Sequence, residues 1–160
     1  MSHPKVSVIV LNYNNLEYMD DCFSSLSQLD YPTDCLELVL ADNGSSDGSV
    51  GYVRERFPTV RVIQFDQNLG FSTGNNRAAE QTESKYVAFL NSDMRVAPGW
   101  LAGLVDALGD EADVVCSGSK ILSWDGQSLD FAGTLLSFLG HASANGYQDQ
   151  DLTRYNEVRY

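Results

Sequence analysis

Five short apolar runs recur along the chain: VSVIVL (6–11), LELVLA (36–41), VRVIQF (60–65), YVAFLN (86–91) and DVVCSG (113–118). They begin 24 to 30 residues apart, which is the repeat of one strand followed by one helix. Runs that are apolar on both faces suit the central strands of a parallel sheet covered by helices. The intervals can supply those helices. Leu16, Met19, Phe23 and Leu26 sit at helical spacing, and so do Leu101, Leu104, Val105 and Leu108, with Pro98 at a first-turn position. The segment after Gly70 offers an inner face of only Ala78, Ala79 and Thr82. The expected class is α/β, a doubly wound and mostly parallel sheet with helices on both faces.

The rhythm stops near residue 118. The remainder holds short strand-like pieces, turns at Asp125-Gly126 and Asn145-Gly146, and a polar end. The expectation is a single domain over 1–160, with its core in 5–118 and an irregular segment over 119–160.

Composition narrows the partners. Twenty-two acidic against ten basic side chains give a formal net charge of −12, a surface that repels a nucleic-acid backbone. A phosphate-bearing ligand would find few cationic side chains and would need helix N-termini or a divalent metal. No C-x-x-C occurs, and His3 and His141 are the only histidines, so a zinc site of cysteine and histidine is disfavoured. Cys22, Cys35 and Cys116 are odd in number and set in apolar surroundings, as expected of free thiols in a reducing compartment. No apolar stretch is long enough to span a bilayer, and the first residues lack the layout of a signal peptide.

Ligands of open α/β sheets bind beyond the carboxyl ends of the strands, where strand order reverses. Those ends read NYNN, DNGSSDGS, DQNLGFSTGNN and NSDM. Asn, Asp, Ser and Gly favour turns wherever they occur. Four such clusters on one edge point to a site. Asp42, ending the second run, can accept hydrogen bonds from a ring N–H or a sugar hydroxyl. Gly70 and Gly74 allow close approach of backbone to a ligand, or a tight turn. Ser45 or Ser46 can cap a helix beginning near Gly48. Gly44-Ser45-Ser46-Asp47-Gly48 also matches G-x-S-x-G between strand and helix, the setting of a hydrolase nucleophile. That alternative would use Ser46, with His141 as the only histidine after it.

Taken together and in order, VSVIVLNYNN, LVLADNGSSDGS, NLGFSTGNN and YVAFLNSDM resemble family 2 glycosyltransferases of the GT-A fold, over roughly residues 5–133. LDFAG (129–133) is similar to the rhamnosyltransferase-like branch of cell-surface polysaccharide synthesis. The resemblance implies transfer of a sugar from a nucleoside diphosphate-sugar, with inversion, to a saccharide or lipid-linked acceptor. It places Leu11, Asn12, Asp42, Asn43, Gly44, Asn68, Gly70, Asn76, Asn91, Ser92 and Asp93 around the donor, with Asp42 at the base. Asn91-Ser92-Asp93 takes the place of the D-x-D motif, with Asp93 as ligand to Mg²⁺ or Mn²⁺. Asn91 replaces the first acid, and Asn75 stands where many relatives have Arg. The general base is expected in an acidic motif beyond Tyr160, Glu157 being an isolated acid near the end. The chain is therefore read as a donor-binding part, truncated at its C-terminus and catalytically incomplete alone, or else as a non-catalytic nucleotide-binding module. A cytoplasmic location follows from the resemblance, with peripheral association at the inner membrane face as its form of membrane contact.

Overall fold

A computed structural model describes residues 3–109, 114–136, 138 and 142–156. The chain forms two compact units, Met1–Leu101 and Ala102–Tyr160.

The first unit is built on β1 (Val6–Asn12), β2 (Leu36–Asp42), β3 (Arg61–Gln64) and β4 (Tyr86–Asn91). All pairings are parallel, in the order β3-β2-β1-β4. Helices α1 (Met19–Leu26), α2 (Ser49–Arg56) and α3 (Phe71–Ala79) connect them, and a short 3-10 turn over Leu16–Tyr18 leads into α1. Alternation along the strands divides the core in two. Ile9, Val39, Ala41 and Ile63 share one face with Ala78 of α3. Val8, Val10 and Leu40 are equally buried and belong to the opposite face. Met19, Cys22, Phe23 and Leu26 of α1 and Val50 and Val53 of α2 are the apolar side chains available to cover it. The Phe23 ring of α1 lies 5.6 Å from that of Phe57, the residue that caps the C-terminal end of α2.

Strand order, more than strand count, locates the crevice of this sheet. From β1 the chain steps outward to β2 and β3, then returns through α3 to the other side of β1. The reversal lies between β1 and β4, so their carboxyl ends flank the position where ligands of such sheets bind.

A fourth helix, α4 (Trp100–Leu108), begins two residues after Pro98. Pro98 lies in the preceding turn, where its carbonyl accepts a bond from the Asp30 N–H at 2.8 Å. The fifth apolar run does not form the expected strand. Asp113 lies outside the described residues, and 114–118 carries no ladder, with Val115 87% exposed. An apolar run becomes a strand only when a neighbour completes its backbone hydrogen bonds.

The second unit contains two antiparallel pairs. β5 (Ile121–Leu122) meets β6 (Leu129–Phe131), and β7 (Thr134–Leu136) meets β8 (Ala142–Ala144). The expected turns are present, with Gly126 and Gly146 at φ of 72° and 77°. Among the described residues no helix is long and apolar enough to cross a membrane.

Candidate functional site

The ends of β1 and β2 lie side by side, Asn12 opposite Asp42. Asp42 is fully buried. One carboxylate oxygen accepts from Asn12 Nδ2 at 3.0 Å and the other from the Ser45 N–H at 3.0 Å. Asn12 Nδ2 also lies 3.1 Å from Ser45 Oγ and 2.8 Å from Ser49 Oγ. An amide with two hydrogens cannot serve three acceptors fully, while Asn12 Oδ1 is buried without a partner.

Further bonds stitch this loop to the one after β1. Asn14, at a φ of 54°, accepts from the Ser46 N–H through Oδ1, and its own N–H donates to Ser45 Oγ. Asp47 accepts from the Leu16 N–H at 2.8 Å and the Ser49 N–H at 3.0 Å. Burial pushes the Asp47 carboxyl upward, but these bonds from Ser49 and Leu16 outweigh it and hold the group below its ordinary range. Asp47 therefore does the capping expected of Ser45 or Ser46, because Gly48, at φ 89°, is the residue preceding α2.

Asn43 and Asn68 form a second staple. Asn43 Nδ2 donates to Asn68 Oδ1 at 2.9 Å and to the Gly70 carbonyl at 3.2 Å, and Asn43 Oδ1 accepts from the Leu69 N–H. The Gly70 N–H closes the turn on Asn68 Oδ1. Gly44 is sterically required here, by backbone and a φ of 81°, whereas Gly74 sits close to the movable end of Leu11. A Cβ on Gly44 would sit 2.9 Å from Gln67 backbone, and one on Gly74 would sit 2.8 Å from Leu11 Cδ1.

β4 ends differently. Asn91 and Asp93 are exposed, and among the described residues no side-chain hydrogen bond holds either. Ser92 between them is buried, with its Oγ accepting from Asn15 Nδ2 at 2.8 Å. The Val96 N–H donates to Ser25 Oγ at 3.1 Å, tying the turn to α1. Cys22 of α1 lies within the field of Asp93. Burial first, and that carboxylate second, push its thiol up to about 12, so it stays a neutral thiol at pH 7 and makes no metal ligand.

These ends enclose a cleft of 360 Å³ at the switch point. Of the expected donor-site residues, Leu11, Asn12, Asn43, Asn68, Gly70, Asn91, Ser92 and Asp93 line it. Asp42, Gly44 and Asn76 do not. Asp42 lies beneath the loop with both oxygens committed, and Asn76 is exposed on α3. Asn75 is buried, donates to the Phe71 carbonyl at 3.1 Å, and leaves its Oδ1 unpartnered. Three further residues reach the cleft: Asn15, Tyr13 (48% exposed) and Phe71 (64% exposed). All three lie within the polar strand-end segments, but nothing in their spacing marked them. A larger depression of 470 Å³ lies at the opposite sheet edge, where Arg61 pairs with Glu37 at 3.1 Å and satisfies its own charge.

The cleft's chemistry is narrow. No Lys or Arg lines it, and Asp93 is its one ionisable carboxylate. Among the described residues no three His, Cys, Asp or Glu side chains converge as a cage. One exposed carboxylate fits a hard divalent cation that draws its other oxygens from substrate phosphates and water, the habit of Mg²⁺. Hydrolase chemistry fits poorly. A nucleophile elbow is a strained turn, but Ser46 is absent from the positive-φ residues, and His141 lies outside the described residues.

Known proteins share this arrangement. Mannosyltransferase PcManGT from Pyrobaculum calidifontis, in complex with GDP-Man and Mn²⁺, superposes with a TM-score of 0.64 at 29% identity over 68% of this chain. S. aureus TarS 1-349 in complex with UDP-GlcNAc does so with a TM-score of 0.59 at 30% identity over 65% of this chain. In sequence, the uncharacterized glycosyltransferase YibD of Escherichia coli (strain K12) is 36% identical over 114 residues, 69% of this chain. The chain spans 33%, 32% and 32% of those three proteins respectively. Residues 7–147 match the family described as glycosyl transferase family 2. With a GT-A-like parallel sheet and a cleft at its switch point, the chain belongs to glycosyltransferase family 2.

Proposed function

We propose that the cleft binds a nucleoside diphosphate-sugar, and that the chain is the donor-binding part of an inverting hexosyltransferase. The observation that carries this is the exposed Asp93 carboxylate in an otherwise uncharged cleft at the β1/β4 reversal. Asp93 would hold the divalent ion, Mg²⁺ or Mn²⁺, and the ion would supply the positive charge that a leaving diphosphate needs and the cleft lacks. The likeness to solved transferases holding GDP-Man with Mn²⁺, and UDP-GlcNAc, supports this reading.

The protein's own side chains divide the remaining work. Leu11, Asn12, Asn43, Asn68 and Gly70 shape the wall, their side chains and backbone fixed before any ligand arrives. Such pre-organisation spares the ligand the ordering cost. Tyr13 and Phe71 offer exposed aromatic surface for a planar base or the apolar face of a sugar. Asp42 acts beneath the surface by fixing the loop that carries Asn43. No residue is assigned as general base, because Asp93 is the sole carboxylate in the cleft.

A saccharide or lipid-linked acceptor of cell-surface polysaccharide synthesis belongs to the same proposal, as does a deoxyhexose such as rhamnose. A cytoplasmic location with peripheral membrane contact goes with it. Calorimetry with UDP, GDP, dTDP and CDP, each with Mn²⁺ or with EDTA, tests the core of the reading. One nucleotide should bind much more tightly with metal; equal affinity for all four under both conditions would remove the proposal.

A further inference from the structure

The turn after β4 must aim the Asp93 carboxylate into the cleft. Its backbone closes through the Met94 N–H donating to the Asn91 carbonyl at 3.2 Å. Asn91 itself is held in register beside Leu11 of β1, so what fixes the turn beyond it decides where the Asp93 carboxylate sits. Bonds from two other elements reach the turn and the residues after it. The Val96 N–H donates to Ser25 Oγ, whose own hydrogen goes to the Cys22 carbonyl at 2.8 Å. Asn15 Nδ2 donates to Ser92 Oγ, the residue immediately before Asp93.

Asn15 is well placed to act as an anchor. It precedes the 3-10 turn, and its carbonyl accepts from the Tyr18 N–H at 3.1 Å. The bond it makes joins residues 77 apart in sequence, bridging the loop after β1 to the turn after β4. Those are the two sides of the switch-point cleft.

We propose that Asn15 is a positioning residue, holding Ser92 so that the adjacent Asp93 carboxylate meets a divalent cation and a donor diphosphate in register. This inference rests on the function proposed above. Groups bonded directly to a ligand carboxylate typically matter by roughly 10–100-fold in metal affinity; Asn15 acts through the neighbouring Ser92, so the low end of that range is expected. A turn free to shift by about an ångström loses comparable ground in any step that needs oriented oxygens.

The test measures one ratio: the affinity of the preferred nucleoside diphosphate with Mn²⁺ divided by its affinity in EDTA. Calorimetry supplies both affinities, and the Mn²⁺ electron spin resonance signal gives bound metal independently. Asn15→Ala and Ser92→Ala should each lower the ratio about tenfold, and the double variant should lower it no further. Asn15→Asp, whose oxygen can accept the Ser92 hydroxyl hydrogen, should recover part of it. Should Asn15→Ala fail to fold, Ser92→Ala carries the measurement. An unchanged ratio in Asn15→Ala, or losses that add in the double variant, would overturn the positioning role. A wild-type protein with no metal-dependent affinity would instead overturn the proposed function, and this role with it.

Discussion

The loop after β2 and the turn after β4 leave the same sheet edge on either side of β1, but they spend their polar side chains in opposite ways. At the end of β2 and in its loop, Asp42, Asn43, Ser45 and Asp47 all bond within the protein, to partners at the end of β1 and in the loops after β1 and β3. In the β4 turn one buried serine is held from Asn15, while Asn91 and Asp93 face outward. A carboxylate with both oxygens committed fixes the chain; one left exposed beside a cleft is available to a ligand. The two Asp residues look alike as strand-end acids, and burial separates their roles.

Substitution at each Asp sharpens that contrast. Asp93→Ala should have the largest effect: loss of metal-dependent nucleotide affinity by several kcal/mol, roughly a hundredfold or more. Its thermal midpoint should stay near wild type, since the side chain packs against little. A large fall in midpoint with metal-dependent binding preserved would reverse the roles assigned to the two acids. Asp42→Ala should do the converse. It strands the Ser45 N–H, while Asn12 Nδ2 keeps the Ser45 and Ser49 hydroxyls as acceptors, so the cost should be about 1–3 kcal/mol in unfolding free energy by urea titration. A variant as stable as wild type would show that the loop does not depend on this carboxylate.

Cys22, beneath the β4 turn, offers a pH probe of burial. Its thiol is raised from 9.0 to about 12 in the folded protein, so the unfolded chain gives up its proton first. The stability due to the neutral buried thiol is complete below pH 9 and is lost as pH rises toward about 12. The slope is about 1.4 kcal/mol per pH unit. Urea titrations in EDTA between pH 8 and pH 10.5 or so should show a shallower slope for Cys22→Ala than for wild type; parallel slopes would mean the thiol titrates normally. The smallest effect is expected from Ser46→Ala. Ser46 is exposed and contributes its backbone N–H to Asn14, a bond alanine keeps. Stability should change by less than about 0.5 kcal/mol, and any activity on an activated ester should be unaffected. Loss of such activity would revive the nucleophile reading.

The period and double-faced burial of the apolar runs were enough to specify an α/β unit with a parallel sheet, because only helices on both faces can bury such strands. The polar clusters at four run ends identified the edge that carries the cleft for an equally local reason: they come directly after their strands. Local pattern could not decide the fifth run, since 113–118 reads like the others and differs only in lacking a ladder partner among the described residues. Nor could it rank the strand-end residues. Asp42 lies beneath the loop and Asp93 beside the cleft because β2 pairs with both neighbours while β4 pairs with β1 at the reversal. The bond from Asn15 to Ser92 joins groups 77 residues apart, and that from Asn43 to Asn68 groups 25 apart. Hydrogen-bond partners at such separations are chosen by strand order and register, which chain neighbours do not encode. The sequence alone pointed to the segments that meet at the cleft; the tertiary structure decided which side chains hold those segments and which face the cleft.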